Sequence, residues 1–537
     1  MAKASFEIRI KLQAPFLFPS VAAGRFGYDR VAMVDQQGRA IIPQDQVKGL
    51  LSHGLRETGH TDLATRLFGA KSGDATTPGD APDGFEPRPG SIFFTDLVAA
   101  HDPPTAQGPY HRVQIDPESG AAKEGHLVTL EQLYPPGKDV TFTGRMTLFQ
   151  PEDDPERLAT VFRRALLTHL GIGANVSIGF GLIKQVIVDA EPSSIPTPID
   201  QPLAALCNWT FRIDRPYLVN ARRIADNAFK GERDVPGGAL KGLIARNLSL
   251  RGLSLPQSTL SNIRIGFARP ASGPPRPLPL SVVKAGSSYP DLAFASPPPG
   301  KIKLQIDWKD EEWSATGPHD GTPDFEERVH TAIKNGLAEQ QMLYSAVAVL
   351  PAGEMVAQID LSGLEAAEID TLEELLSEPL VGLGRTDAEI ETESVKPAPS
   401  GETSLEPGEV PIVLRTPALL AGPADDTDPL SAYREIWRDL LKHSELKDMF
   451  VAQDAMGGYI ARRYPAFGAY QPWVLTRAAS VFVFDLAEED VGALERLLTN
   501  GVCRKTLQDG TEPNWRNCPF VPKNGYGEID ILEHGGR

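Results

Sequence analysis

The chain has 537 residues, 71 Asp and Glu against 53 Lys and Arg, and a formal net charge of −18. That length exceeds one hydrophobic core and points to three or four domains, while a hydrophobic share of 41% without any apolar run of about 18 residues reads as soluble and excludes a membrane-spanning segment. Three cysteines, Cys207, Cys503 and Cys518, with no C-x-x-C spacing, speak against a disulfide framework or a structural zinc site.

At the N-terminus Phe6, Ile8, Ile10 and Leu12 alternate with Glu7, Arg9 and Lys11, the pattern of a half-buried strand rather than a signal peptide. A cytoplasmic protein without a membrane partner is therefore expected. A glycine-flanked loop from Gly24, carrying Tyr28 and Asp29, leads through the turn Asp35-Gln-Gln-Gly38 to Pro43, where a helix should begin with Lys48-Gly49 in its first turns. Next come a long Gly/Pro/Asp-rich loop at Ala70–Gly90, a hairpin-like stretch at 111–125, and Leu130–Gly137 as a strand entering a tight turn. A helix at Leu158–Leu170 then leads into the glycine loop Gly171–Gly181, G-I-G-A-N-V-S-I-G-F-G.

The same grammar returns. Leu12-x-x-Pro15-x-Leu17, Ile213-x-x-Pro216-x-Leu218 and Leu414-x-x-Pro417-x-Leu419 each close an alternating strand, spaced by 201 residues both times, from 12 to 213 and from 213 to 414. Ile42-Pro43-x4-Lys48-Gly49 recurs as Val235-Pro236-x4-Lys241-Gly242; a second hairpin at 328–340, Val347–Gly353, a helix at Leu372–Leu380 and V-G-L-G-R-T at 381–386 complete the second copy. The third keeps the strand pattern in Ser480–Phe484 and 524–531, and replaces the proline box with an amphipathic helix around Tyr433–Met449; it is expected to pack on the second. Strand, helix, two strands, helix, strand is the ferredoxin-like order. The expected fold is therefore α+β, tandem ferredoxin-like (RRM-like, βαββαβ) modules with inserted loops and hairpins: 1–190, a linker at 191–204, 205–394, a linker at 395–409, and a divergent third module at 410–537. Pro270–Pro279 and Ser296–Gly300 read as further breaks.

Charge is uneven along this layout. Residues 360–395 hold eleven Asp or Glu and one Arg, whereas 220–251 hold seven Lys or Arg and three Asp or Glu, so local fields rather than net charge decide what each surface attracts. The acidic segment reads as a solvated helix face, a shield against nucleic acid, or a surface for a basic neighbour.

The I-P-x4-K-G helix start, the Asp-bearing loop before it, the I-D-x-x-S-G-A-A hairpin, the Y-P-P-G turn and the G-I-G-x4-I-G-F-G loop together resemble the RAMP superfamily of type III CRISPR effector proteins. The first module is most similar to the repeating backbone subunit that coats the guide segment of crRNA. The remainder, with R-P-L-P-L-S at 276–281, the V-P-G-G-A-L-K-G box and A-A-S-V-F-V-F, looks like the RAMP subunit of the type III-D branch, making the chain resemble a fusion. The resemblance implies crRNA, target RNA and other effector subunits as partners, and metal-dependent cutting of the target RNA. It places one catalytic and metal-holding carboxylate in the loop before the Pro-x4-Lys-Gly helix, here Asp29, with Mg²⁺ or Mn²⁺. The second module departs: Asp226 and Asp234 lie in its loop, neither at matching spacing.

RNA cleavage needs the 2′-OH in line with the phosphate, and a hard cation that keeps several waters asks for no full protein cage, so one loop carboxylate suffices. Its plain alternative is a solvated turn aspartate. Lys48 and Lys241 lie where helix N-termini favour phosphate. In the Gly171–Gly181 loop, Val176 stands where a dinucleotide fingerprint needs glycine, so Gly173 and Asn175 read instead as close-approach positions to an RNA phosphate, or as a tight turn. Arg222, Arg223 and Lys230 surround Phe229 as expected where bases stack beside phosphate contacts. Arg25, Tyr28, Arg112, Lys123 and Arg385 complete the RNA-binding set, and Tyr344 is a further stacking residue. His53 and His111 would be the acid and base of a metal-independent nuclease, but otherwise read as core or surface residues. The alternatives are a non-catalytic crRNA-binding scaffold and a metal-independent precursor-crRNA endonuclease using His53 or His111.

Overall fold

The computed structural model describes residues 3–533 apart from 21–26, 36, 70–89, 101–107, 193–201, 226, 273–277, 283–290, 295–324, 335–336, 399–404, 422–428, 465–470 and 508. The loop Ala70–Gly90 lies almost wholly, and the break Ser296–Gly300 wholly, outside the described residues, as do Arg25 and Asp226.

In the first module the strands are β1 (Lys3–Gln13), β2 (Pro19–Ser20), β3 (Val31–Ala32), β4 (Ile41–Ile42), β5 (Ile92–Phe94), β6 (Leu97–Ala99), the hairpin β7 (Tyr110–Ile115) and β8 (Ala122–Leu130), then β9 (Asp139–Phe149) and β10 (Leu182–Glu191). Its helices are α1 (Gln44–Glu57), α2 (Thr61–Phe68) and α3 (Pro155–Leu166). The sheet order is β10-β1-β9-β6-β4, antiparallel throughout, with Ile8 opposite Val188 on one side and Gly144 on the other. The alternation in β1 buries Phe6, Ile8, Ile10 and Leu12 completely beneath α1 and α3. The two helices cross closely because Gly54 has no side chain: a Cβ there would stand 2.0 Å from the carbonyl oxygen of Ala165.

The second module repeats the plan. It comprises β11 (Leu206–Ile213), β12 (Arg222–Ala225), β13 (Ala228–Lys230), α4 (Gly237–Leu250), α5 (Gln257–Asn262), β14 (Arg264–Ile265), β15 (Arg269–Pro270), the long hairpin β16 (Phe325–Lys334) and β17 (Leu337–Val349), then β18 (Glu354–Asp360), α6 (Ala366–Leu376), β19 (Leu380–Leu383) and β20 (Ala388–Pro397). Its sheet runs β14-β18-β11-β20-β19, so the first strand again lies between the third and the last strands of the unit. Pro43 and Pro236 cap helices of equal length, 14 residues, at φ −59° and −60°. Proline leaves out an N–H that has no helical partner at that position.

The third module is ferredoxin-like in the same sense: β21 (Gly408–Leu414), α7 (Pro429–Leu440), β22 (Glu445–Phe450), β23 (Gln453–Met456), α8 (Tyr459–Arg463), β24 (Trp473–Thr476), β25 (Val481–Leu486), α9 (Val491–Asn500) and β26 (Ile529–Ile531), with the sheet order β22-β25-β21-β26. The amphipathic helix expected over Tyr433–Met449 is shorter than its hydrophobic pattern. It ends at Leu440, and Asp490 Oδ2 accepts from the backbone N–H of His443 and of Ser444 at 2.7 and 2.8 Å, turning the chain into β22. Leu446 and Met449 then face neighbours in a sheet, where their three-residue spacing mimics a helical period across a register shift.

Neighbouring modules pack through apolar seams. Phe93 and Phe149 meet Val381 and Leu250, and the Arg246 guanidinium lies 4.9 Å from the centroid of Phe93. The third module packs on the second, as expected, through Phe267 among Met456, Trp473, Phe520 and Tyr526. Among the described residues no helix is long and apolar enough to cross a membrane.

Candidate RNA interface and carboxylate loop

Asp29 sits where β8 meets the loop before β3. Its N–H donates to Thr129 O at 2.8 Å and its carboxylate Oδ2 accepts from Thr129 N–H at 2.6 Å, so the loop is pinned to the hairpin base at one residue. Arg30 then bridges Leu130 in parallel, and Glu131 Oε2 accepts from Ala32 N–H at 2.9 Å. The side chain of Asp29 stays exposed, and its Oδ1 makes no hydrogen bond among the described residues. Across the hairpin His111 faces Thr129, with Nδ1 3.3 Å from Thr129 Oγ1. Thr129 thus holds a carboxylate through its backbone and an imidazole through its side chain; neither partnership is visible without the hairpin register.

No group of three or more His, Cys, Asp or Glu that could hold a metal ion occurs among the described residues. Asp29 offers a cation one anionic oxygen. That fits Mg²⁺ or Mn²⁺ only as a single-point anchor, the remaining ligands being water and substrate phosphate.

Arg112 and Asn175 are brought together: Arg112 Nη1 donates to Asn175 Oδ1 at 2.8 Å, and Asn175 has φ +63°. Gly173, at φ +99°, lies so close to the preceding segment that a Cβ would stand 2.7 Å from Leu17 O. Lys123 is exposed on β8 and has no hydrogen bond or ion pair among the described residues. Tyr28 is half-buried just before Asp29. His53 stands apart from this group on α1, 3.6 Å from Glu57, with its ring against His169.

Lys48 lies at the seam between the first two modules, 3.1 Å from Asp387 Oδ2, while Arg246 approaches Asp387 Oδ1 at 3.2 Å. Lys3 reaches Glu378 at 2.9 Å and Arg145 reaches Glu389 at 2.6 Å, so part of the acidic segment 360–395 meets first-module cations within the same chain. Sequence reasoning left that role undecided because the pairing partners lie 244 to 375 residues away. Beside them Arg215 is nearly fully buried against Asp214, and its charge is held by Asp214 despite the burial. Burial pushes the Glu389 carboxyl up, with Arg145 opposing.

In the second module β13 pairs in parallel with β17, repeating on a larger scale the Arg30 to Leu130 bridge. The basic stretch there is largely matched within the chain. Arg222 bonds Glu232 and, at 2.7 Å, Asp454 of the third module. Lys230 Nζ lies 4.2 Å above the Phe325 ring, and Arg385 covers Phe229 at 4.6 Å, while Arg223 is exposed opposite Phe229 on β12. Tyr344 is 41% exposed near Arg385. Asp234 lies between Arg233, at 3.1 Å, and Arg269, at 3.2 Å, two cations that neutralise it. Lys241 is the contrasting case: mostly buried near Lys523, its pKa falls to about 7, first through burial and then through Lys523.

Residues 9–184 match the model of the RAMP superfamily. No curated protein matches the chain. Among solved structures, a chain of the cryo-EM structure of the Type III-B Cmr-beta bound to cognate target RNA is 16% identical with a TM-score of 0.26, over 35% of this chain and 61% of that one, which is less than two thirds of that relative's length. A chain of the Type III-B Cmr-beta bound to cognate target RNA and AMPPnP, state 1, is 13% identical with a TM-score of 0.28, over 51% of this chain and 86% of that one.

Proposed function

We propose, from the premise that residues 9–184 form a module of the RAMP superfamily, that the chain is a subunit of a type III CRISPR ribonucleoprotein. It lays crRNA along its modules and cuts the paired target RNA at the Asp29 loop. The observation that carries the reading is the exposed Asp29 carboxylate pinned by Thr129 at the base of a hairpin bearing Arg112 and Lys123. Glycine-bounded backbone at Gly173 and Asn175 and the cationic groups Arg112, Lys123, Arg223 and Lys230 supply phosphate contacts, and Tyr28, Tyr344 and Phe229 supply planar faces for bases.

A bound Mg²⁺ or Mn²⁺ would relieve charge on the phosphoryl oxygens. The chain's own part is positional. The hydrogen bond from Thr129 N–H fixes the direction of the Asp29 carboxylate, so a ribose 2′-OH held beside it meets its phosphate in one geometry rather than many. The test is cutting of complementary RNA by the RNA-loaded assembly carrying Asp29→Ala: the reading expects binding without cleavage, and undiminished cleavage overturns it.

A second reading is favoured by the His111 to Thr129 contact. There the imidazole takes the 2′-OH proton and Asp29 orients it through Thr129, with no metal needed. Cleavage that survives EDTA and is lost in His111→Ala would select it. If EDTA-resistant cutting instead belongs to another subunit, the chain is a guide-RNA scaffold.

A further inference from the structure

The third module carries a loop that is braced from within. Leu507, 5% exposed, and Cys518, fully buried, root its two ends in one apolar cluster. Between them Asp509 Oδ1 accepts from the N–H and the hydroxyl of Thr511 at 2.9 and 2.6 Å, and Asn517 Nδ2 donates to Thr511 Oγ1 at 3.2 Å and to Glu512 O at 3.0 Å. Asn514 N–H donates to Asn517 Oδ1 at 2.7 Å, and Arg516 N–H returns to Asn514 Oδ1 at 3.0 Å. What this frame holds out is Trp515, 36% exposed, with the Arg516 guanidinium 5.2 Å from its ring centroid, whereas Trp209, Trp437 and Trp473 are all buried. A tryptophan left in water on a loop already fixed by its own side chains loses little freedom when something settles on it.

Its surroundings are cationic. Residues 504–523 hold Arg504, Lys505, Arg516 and Lys523 against Asp509 and Glu512, in a chain of net charge −18. At the module seams Arg222 meets Asp454 and Lys48 meets Asp387, so those charges are neutralised by carboxylates. The cations here meet neutral oxygens instead: Arg516 Nη2 donates to Gln257 Oε1 at 3.2 Å, Lys523 Nζ to Asn262 Oδ1 at 3.0 Å, and Lys505 Nζ to Asp439 O. None of these three has an ion pair among the described residues. Gln257 and Asn262 are the first and last residues of α5, so Arg516 and Lys523 stand at its two ends, about 7.5 Å apart along the axis, with the exposed Ser258 between them. The depressed Lys241, lowered first by burial and then by Lys523, shows the same excess of positive charge reaching into the second module.

Among the described residues of the third module Trp515 is the one exposed large hydrophobic side chain. No apolar patch surrounds it, as the centre of a protein-binding hot spot requires. A single aromatic face among unneutralised cations is the arrangement that stacks a base while the phosphates beside it are matched in charge. We propose that Trp515, Arg516 and Lys523, with the polar face of α5, bind an unpaired stretch of RNA at the junction of the second and third modules, Trp515 stacking one base and the two cations meeting the flanking phosphates. The site shares no residue with the Asp29 loop or the first-module hairpin. It takes its ligand from the ribonucleoprotein reading above and is independent of cutting at Asp29.

The test uses the full chain in its guide-loaded assembly, with 4-thiouridine placed in the unpaired ends of the guide in one preparation and of the complementary target in another. Irradiation followed by mass spectrometry should find the label on the peptide containing Trp515, and the preparation in which it appears names the strand. On the full chain alone, Trp515→Ala should weaken binding of a fluorescein-labelled uridine dodecamer at least about fivefold, and Trp515→Phe by less than about twofold. Arg516→Gln with Lys523→Gln should reduce the slope of log affinity against log salt by about 1.4, the share of two phosphate contacts on a single strand, with an unchanged melting midpoint. Asp29→Ala should leave each of these readouts unaltered, so failure of the cleavage reading and failure of this one are told apart. Unchanged affinity and salt slope in the variants, no label on that peptide from either strand, or Trp515→p-benzoylphenylalanine joining to protein alone would overturn the proposal.

Discussion

Lys241→Met isolates the difference between the two proline-box lysines. Lys48 meets Asp387, whereas Lys241 on α4 lies near Lys523 of the third module. Burial and Lys523 bring the Lys241 pKa from 10.5 down to about 7. In the window between those values the unfolded chain binds the proton that the folded chain releases, so stability rises with pH through it. The full penalty is present below pH 7. A shift of that size sets a ceiling of about 5 kcal/mol at 1.36 kcal/mol per unit, and partial solvent access brings it to roughly 2–4 kcal/mol. Methionine keeps the apolar stem and removes the charge. At pH 7 the variant should melt about 5–10 °C above the parent, at roughly 2–4 °C per kcal/mol, and the gap should close by pH 10. Paired differential scanning calorimetry at pH 7, 8.5 and 10 measures it. A pH-independent gap, or a variant less stable at pH 7, would refute the burial of Lys241 near Lys523.

Gly173→Ala forces a Cβ into Leu17 O at positive φ and should cost roughly 1–3 kcal/mol of first-module stability without RNA present, measured by urea unfolding; an unchanged midpoint would leave Gly173 a purely ligand-facing role. The Lys48 to Asp387 pair is partly exposed, so a double-mutant cycle of Lys48→Ala and Asp387→Ala should give a coupling of about 0.5–1 kcal/mol, whereas additivity would mean the seam does not hold that geometry in solution. His111→Ala should lower metal-supported target cleavage by less than about threefold; a loss of the order of a hundredfold, the scale of general acid–base catalysis, would move the chemistry to the imidazole.

The three core sheets were legible because their information is local. Alternation in Phe6–Leu12, in Trp209, Phe211 and Ile213, and in Val410, Ile412 and Leu414 each specifies one buried face, and Pro43 and Pro236 mark helix starts without reference to the rest of the fold. Reading α7 through to Met449 failed because Leu446 and Met449 keep a helical spacing that only the distant Asp490 cap and the β25 register interrupt. The loop that carries Asp29 is readable in the sequence, but the anchor of its carboxylate is not: Thr129 lies a hundred residues away on the opposite strand. Equally hidden were the partners of the basic residues. Arg222 and Lys230 look alike in sequence, yet one is neutralised by Glu232 and Asp454 and the other lies over Phe325, outcomes decided by module packing that no short window of residues encodes.

The measurement that bears most directly on the account compares parent and Asp29→Ala assemblies, loaded with the same guide RNA, on a labelled complementary RNA with Mg²⁺ and with EDTA. The account predicts equal target binding, cutting by the parent only when metal is present, and no cutting by the variant. Equal product from both proteins in Mg²⁺ would contradict it.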